Sequence, residues 1–218
     1  MRIVCISDTH NRHDALRVPD GDLLVHAGDM SGQGSPDEVR AFAAFLTSLP
    51  HRDKVVIAGN HDFLFEQRPQ TAQGLLAGSC TYLEDAEATV GGLRIWGSPW
   101  QPWFYDWAFN LRRGRAIRAK WELIPDGIDV LVTHGPPAGH GDRTARGEAV
   151  GCEDLRDAIA RVRPRLHVFG HIHEAYGVTT DEHTTYVNAC SCNLAYRPVH
   201  APVVLDWDDG AVRLVAGG

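Results

Sequence analysis

The chain has 218 residues, a formal net charge of -7, 44% hydrophobic and 22% charged residues. That length buries a real core, and that charge argues against a surface tracking a long polyanion, so long nucleic acid is not an expected partner. No apolar stretch approaches a membrane span and no secretory pattern opens the chain. The expectation is a cytoplasmic protein with reduced thiols at Cys5, Cys80, Cys152, Cys190 and Cys192.

Taken in chain order, "IVCI" (3–6) and "LLVH" (23–26) read as strands buried on both faces, because their apolar runs are continuous. "SPDEVRAFAAFLTSLP" predicts a helix, with Ser35 as N-cap, Pro36 in the first turn and Glu38 completing a capping box. Val39, Phe42, Leu46 and Leu49 then share one face. "VVIA" (55–58) is a third buried strand, and "YLEDAEATVGGLRIWGSPW" a hairpin turning at Gly91-Gly92. "GRAIRAKWELIP" predicts a second helix, before the strand "VLVT" (130–133). "CEDLRDAIARVRP" sets Leu155, Ile159 and Val162 on one stripe and stops at Pro164, ahead of "LHVF" (166–169). "TTYVNA" and "APVVLDWDDGAVRLV" close the chain as strands, with a turn at Asp209-Gly210. No linker interrupts this order, so residues 1–218 are expected to be one domain. The alternation predicts an α/β core of two facing sheets with helices outside.

Five strands end alike. They run into Asp8-Thr9-His10, Gly28-Asp29, Gly59-Asn60-His61-Asp62, His134-Gly135 and Gly170-His171-Ile172-His173. In α/β sheets the ligand crevice lies outside the carboxyl ends of the strands. Residues i and i+2 of an extended segment point the same way, so Asp8 with His10, and His171 with His173, each present two donors to one spot. Asp8, Asp29, Asn60, His10, His134, His171 and His173 are more donors than one ion needs. They suit two divalent ions of mixed nitrogen and oxygen preference: manganese, iron, zinc, cobalt or nickel. No thiolate is required, which argues against a cysteine-based structural zinc.

The set D-x-H, G-D, G-N-H-D, H-G and G-H-x-H resembles the calcineurin-like metallophosphoesterases. "GDLLVHAGDMS", "VIAGNHD", "WGSPWQPWF" and "VRPRLHVFGHIHEAYG" look like the metallophosphoesterase-domain-containing proteins of animals and their bacterial relatives. The resemblance implies the metallophosphoesterase fold, a β-sandwich flanked by helices with its metal site at the strand C-terminal ends. It implies metal-dependent hydrolysis of small nucleotide phosphodiesters, notably cyclic nucleotides, with two divalent transition ions, manganese first among them. By that likeness Asp8, His10 and His173 hold one ion, Asn60, His134 and His171 the other, and Asp29 bridges. His61 faces the leaving group, and Asp62 either orients it or caps the following turn. The G-D-x-x-D-R-G pattern of protein phosphatases is absent, "GDMSGQG" standing in its place.

Substrate contacts are expected from Trp100 and Trp103 in the aromatic stretch 96–109, which otherwise closes the core, and from Arg12, Arg143 and Asn188. His13 and His140 are weaker candidates. Arg112, Arg113, Arg115, Arg118 and Lys120 read as a solvated helix face, and His26, His51, His167, His183 and His200 as structural or surface residues. Alternative readings of the same site are a nuclease, a phosphomonoesterase, or a non-catalytic scaffold.

Overall fold

A computed structural model describes residues 1–218. Two six-stranded sheets pack face to face. The first runs, in spatial order, Ala211–Ala216, Val203–Asp208, Arg2–Ile6, Leu23–Ala27, Asp53–Ile57, Thr81–Tyr82. The second runs Gly177–Thr180, Thr185–Asn188, Leu166–Phe169, Val130–Thr133, Leu93–Ser98, Ala86–Val90. The four strands from Arg2–Ile6 to Thr81–Tyr82 are parallel, as are the four from Thr185–Asn188 to Leu93–Ser98. Antiparallel pairs lie only at the flanks.

The continuous apolar runs have a direct cause. Alternate residues of one strand face two different cores. Ile3, Cys5, Leu23, Val25, Val55, Val130, Val132, Leu166 and Val168 meet between the sheets. Val4, Ile6, Leu24 and Val56 face the other way, onto Val39, Phe42 and Leu46 of the helix Pro36–Ser48. On the outer face of the second sheet, Leu131 and Phe169 pack with Ile117 and Trp121 of Arg115–Trp121 and with Leu155 and Ile159 of Glu153–Val162. The sandwich with outer helices is therefore as expected.

Local signals hold at the ends. Ser35 Oγ accepts from Glu38 N at 3.3 Å while Glu38 accepts from Ser35 N at 2.7 Å. Gly91 and Gly92 have φ of 60° and 88°, and Asp209 and Gly210 have 45° and 81°, the left-handed pairs that tight hairpins need. Two short helices, Phe63–Gln67 and Pro69–Leu76, were not foreseen, because the proline between them cuts the apolar repeat below a readable length. The third strand is Asp53–Ile57, two residues earlier than its apolar run suggested. No helix is long and apolar enough to cross a membrane.

Parallel strands bring all five motif loops to one rim. The two sheets are stitched there by a parallel bridge between Ser7 and Cys190.

Candidate metal centre and catalytic pocket

The loops leave their strands by sharp left-handed turns. Asp8, His10, Asp29 and His171 have φ of 51°, 40°, 56° and 68°. Such backbone costs about 1–3 kcal/mol per residue and collects at functional sites. The neighbouring glycines are required by space. A Cβ on Gly170 would sit 2.0 Å from Asp8 Oδ2, and one on Gly59 would sit 2.3 Å from Asp29 Oδ1.

The donors converge. Asp29 Oδ2 lies 3.4 Å from His134 Nε2, 3.7 Å from His10 Nε2 and 4.0 Å from His61 Nε2. Asp8 Oδ1 lies 3.2 Å from His173 Nε2 and 4.0 Å from His10 Nε2. Asn60 Oδ1 is 2.9 Å from His134 Nε2. Three clusters have geometry that could hold an ion: Asp8 with His173 and Cys190, Asp29 with His10 and His61, and Asp29 with His134 and His171. Asp29 belongs to two of them.

The imidazoles are aimed by backbone carbonyls. His10 Nδ1 meets Ser31 O at 3.3 Å, His61 Nδ1 meets Gly32 O at 2.8 Å, His134 Nδ1 meets Ala27 O at 2.9 Å, and His173 Nδ1 meets Asn193 O at 3.0 Å. A carbonyl only accepts, so Nδ1 carries the hydrogen in each and Nε2 is the nitrogen turned inward. His10 Nε2 and His173 Nε2 then face each other at 3.2 Å. Imidazole Nε2 atoms converging beside buried carboxylates form a set that a divalent cation satisfies by displacing their protons, so the residues fit a metal.

The electrostatics agree. Burial opposes charge on Asp8, but the hydrogen bond and charge of His173 hold its carboxyl well below the usual range. Burial opposes charge on Asp29 too, and His134 outweighs it, keeping that carboxyl low. Burial also works against His134 and His173, yet Asp29 and Asp8 beside them push both up to about 9. Burial takes His10 down to about 4 and His171 down to about 3. The two buried carboxylates are thus balanced by the protonated imidazoles of His173 and His134, and a divalent cation takes over that role when it displaces their Nε2 protons.

Asp62 sits at the N-cap position of Phe63–Gln67, but its carboxylate makes no capping bond there and none to the His61 ring. Its carboxylate is fully buried and accepts from the backbone N–H of Asp29 at 2.9 Å, Met30 at 3.3 Å, Ser31 at 3.1 Å and Gly59 at 2.8 Å, and from Ser31 Oγ at 2.5 Å. Burial, with Asp29 nearby, pushes it up to about 6 despite these donors. Asp62 therefore ties the Asp29 loop to the Gly59 loop. Asp62→Ala removes the acceptor of four backbone N–H groups and leaves the Ser31 hydroxyl only its long bond to His61 O, 3.4 Å. It should cost at least about 3 kcal/mol of stability in denaturant unfolding with chelator present. A loss no larger than that of His61→Ala in the same assay would show the clamp to be unimportant.

A cavity of about 390 Å³ opens on the donors. Asp29, Asn60, His61, His171 and His173 form its floor, with Trp103, Phe104, Trp107, Leu194 and Tyr196 among its walls. Trp103, 60% exposed, lines it as expected. Trp100 does not. Its Nε1 bonds Asp85 Oδ2 at 2.9 Å and Lys120 lies over its ring at 4.4 Å, so it packs against the core. Arg12 and Arg143 are exposed and absent from the lining, and Arg143 bonds Gly147 O at 3.1 Å within its own loop. Asn188 is buried, donating to Ile172 O at 2.9 Å and accepting from Cys190 N at 3.1 Å, so it holds the His171–His173 loop in place. His13 packs on Phe45, and His140 stacks on Tyr186 at 3.7 Å.

Trp107, Phe104, Tyr196 and Arg113 are lining residues that the sequence reading did not single out. Trp107 packs against His61 with ring centroids 4.2 Å apart and the planes tilted by 30°. Arg113 is no free solvated cation: it donates to Gly151 O and Val150 O, each at 2.7 Å, and pairs with Glu153, bracing the cavity wall. For Trp107 the crowding of aromatics in 96–109 was a signal, though it did not rank the rings. Nothing local marked Tyr196.

The two-sheet sandwich and its His/Asp-rich rim define a metal-dependent phosphoesterase, and the chain belongs to the calcineurin-like phosphoesterase family, whose model matches residues 1–175. Among its relatives is human metallophosphoesterase domain-containing protein 1, 49% identical over 229 residues covering 94% of this chain and 70% of that protein. A UPF0046 protein of Caenorhabditis elegans is 42% identical over 227 residues, covering 94% of this chain and 80% of its own. The crystal structure of TT1561 of Thermus thermophilus superposes with a TM-score of 0.67 at 14% identity, covering 98% of this chain and 97% of that one, and so shares the fold.

Proposed function

We propose that this phosphoesterase hydrolyses small nucleotide phosphodiesters, 2′,3′-cyclic nucleotides best and 3′,5′-cyclic nucleotides more weakly, at a two-ion centre, with residues 1–218 acting as one domain. The observation that carries the reading is the aromatic-walled cavity of about 390 Å³ opening directly on the donors. It falls in the size range of small-molecule sites, about 300–1,000 Å³. A surface for long nucleic acid would be open and basic.

Asp8, His10 and His173 would hold one ion and Asn60, His134 and His171 the other, with Asp29 shared. The sharing is supported by the near-equal reach of Asp29 Oδ2 to His134 and His10, 3.4 and 3.7 Å. Manganese is the first expectation, and iron, zinc, cobalt or nickel also suit these ligands. Bound divalent ions supply Lewis-acid stabilisation of phosphoryl charge and a nucleophile available near neutral pH. The chain's residues do the rest. His61, pinned through Nδ1 to Gly32 O, presents Nε2 to the cavity; when protonated there, it donates to the leaving oxygen. Asp29 Oδ1 accepts from His61 N at 2.8 Å, so the bridging carboxylate also sets the position of the proton donor. Trp107 and Trp103 offer faces on which a base stacks, tolerating purine and pyrimidine alike. The scaffold alternative is disfavoured by the completeness of the donor set. Five free cysteines, four of them buried, support a reducing compartment such as the cytoplasm.

The five-membered phosphate of a 2′,3′-cyclic nucleotide is strained, and its opening relieves that strain. Purified enzyme loaded with manganese, and separately with the other four metals, should cleave 2′,3′-cyclic nucleotides faster than 3′,5′ ones, with modest base preference. Turnover of simple aryl phosphoesters with none of any cyclic nucleotide would leave the family activity standing and remove the nucleotide assignment.

A further inference from the structure

We propose that Tyr196 is a specificity-determining residue whose ring meets the organic group of the phosphoester on the His10 and His173 side of the cavity. The proposal rests on phosphoesterase activity and not on the nucleotide assignment.

Tyr196 has φ of 54°, a conformation that a tyrosine rarely adopts. The turn that enforces it is built on Asn193. Asn193 Oδ1 accepts from Ala195 N at 3.0 Å and Arg197 N at 3.1 Å, and Asn193 O accepts from Tyr196 N at 2.8 Å. Asn193 N closes the turn on Arg197 O at 2.9 Å. Strain held by so many bonds points to a side chain placed for a purpose.

The placement is over the donors. The Tyr196 ring lies 4.6 Å from His10, 5.8 Å from His173 and 6.0 Å from His61, edge-on to all three. A ring that only filled space would be buried; this residue is 44% exposed and lines the cavity. Trp107 lies against the same His61, so two aromatic residues flank the group proposed to serve the leaving oxygen. An aromatic or furanose group attached to phosphorus would meet the free face of Tyr196 once the phosphoryl group rests on the floor. Asn193 O also accepts from His173 Nδ1, so one residue both aims a candidate ligand and seats the wall.

The test is calorimetric binding of phenylphosphonate and methylphosphonate to the manganese-loaded protein, wild type, Tyr196→Phe and Tyr196→Ala, with ion content checked by elemental analysis. These two probes share the phosphonate and differ only in the organic group, and neither needs turnover. Wild type should prefer phenylphosphonate. Tyr196→Ala should lower the phenyl-to-methyl affinity ratio by at least about 5-fold, the loss of one aromatic contact, and Tyr196→Phe should keep the ratio. The proposal is overturned if wild type shows no phenyl preference. It is also overturned if Tyr196→Ala weakens both ligands equally or loses ions, since the ring would then only support His10 and His173. Failure of the nucleotide assignment would appear separately, in the cyclic-nucleotide assay.

Discussion

Asp29→Asn should leave a folded protein that has lost the ligand proposed to be shared by two ions, and nearly all turnover. The substitution is nearly isosteric. Its amide oxygen can still take the Oδ1 position and accept from His61 N, so the Asn60-His61 loop stays in place. At the Oδ2 position, however, an NH₂ group replaces the oxygen that lies within 4.0 Å of His134, His10 and His61 Nε2. An amide nitrogen donates and does not ligate. Elemental analysis should fall from two ions per chain to one or fewer. Turnover should drop by more than the roughly 10²–10³-fold that loss of a single charge-stabilising group costs. Circular dichroism should stay that of the wild type. Two ions and near-normal turnover in this variant would rule out Asp29 as the bridge.

His61→Gln should separate proton donation from metal binding. His61 touches the centre only at its edge, 4.0 Å from Asp29 Oδ2, while its Nδ1 is bound to Gly32 O. Both ions should therefore remain. Turnover should fall by about 10²–10⁴-fold, the usual worth of a positioned general acid. The loss should be largest for substrates with an alkoxide leaving group and small for an activated aryl ester, whose phenolate leaves without a proton. Equal losses on both would assign His61 to the phosphoryl oxygens instead. Loss of an ion would make it a ligand, as its place in one donor cluster with His10 and Asp29 allows.

Much of this was written locally in the chain. The five apolar runs followed by glycine, aspartate and histidine announced strands buried on both faces and a common rim, because apolar runs and side-chain alternation are short-range properties. The capping box at Ser35 and the two hairpin turns were equally local. What the sequence could not rank was side-chain direction at the rim. Trp100 and Trp107 stand in one aromatic stretch. Trp100 turns to the core because Asp85 and Lys120, remote in sequence, bond and cover it; Trp107 turns to the cavity because His61 gives it a ring to pack against. Asp62 was legible as part of a motif, but its partners were not: the N–H groups it gathers from residues 29–31 exist as a cluster only after two strands lie side by side. Tyr196 reaches the site because the segment after Thr185–Asn188 is stitched to Ser7 at the end of the first strand. The sequence by itself determined the buried central strands and the order of the Asp- and His-bearing motifs that follow them, since these follow from the local alternation and chemistry of neighbouring residues. The tertiary structure alone decided which rings and carboxylates line the cavity and which brace the loops, because that depends on partners 15 to 182 residues away whose contacts form only when the two sheets close.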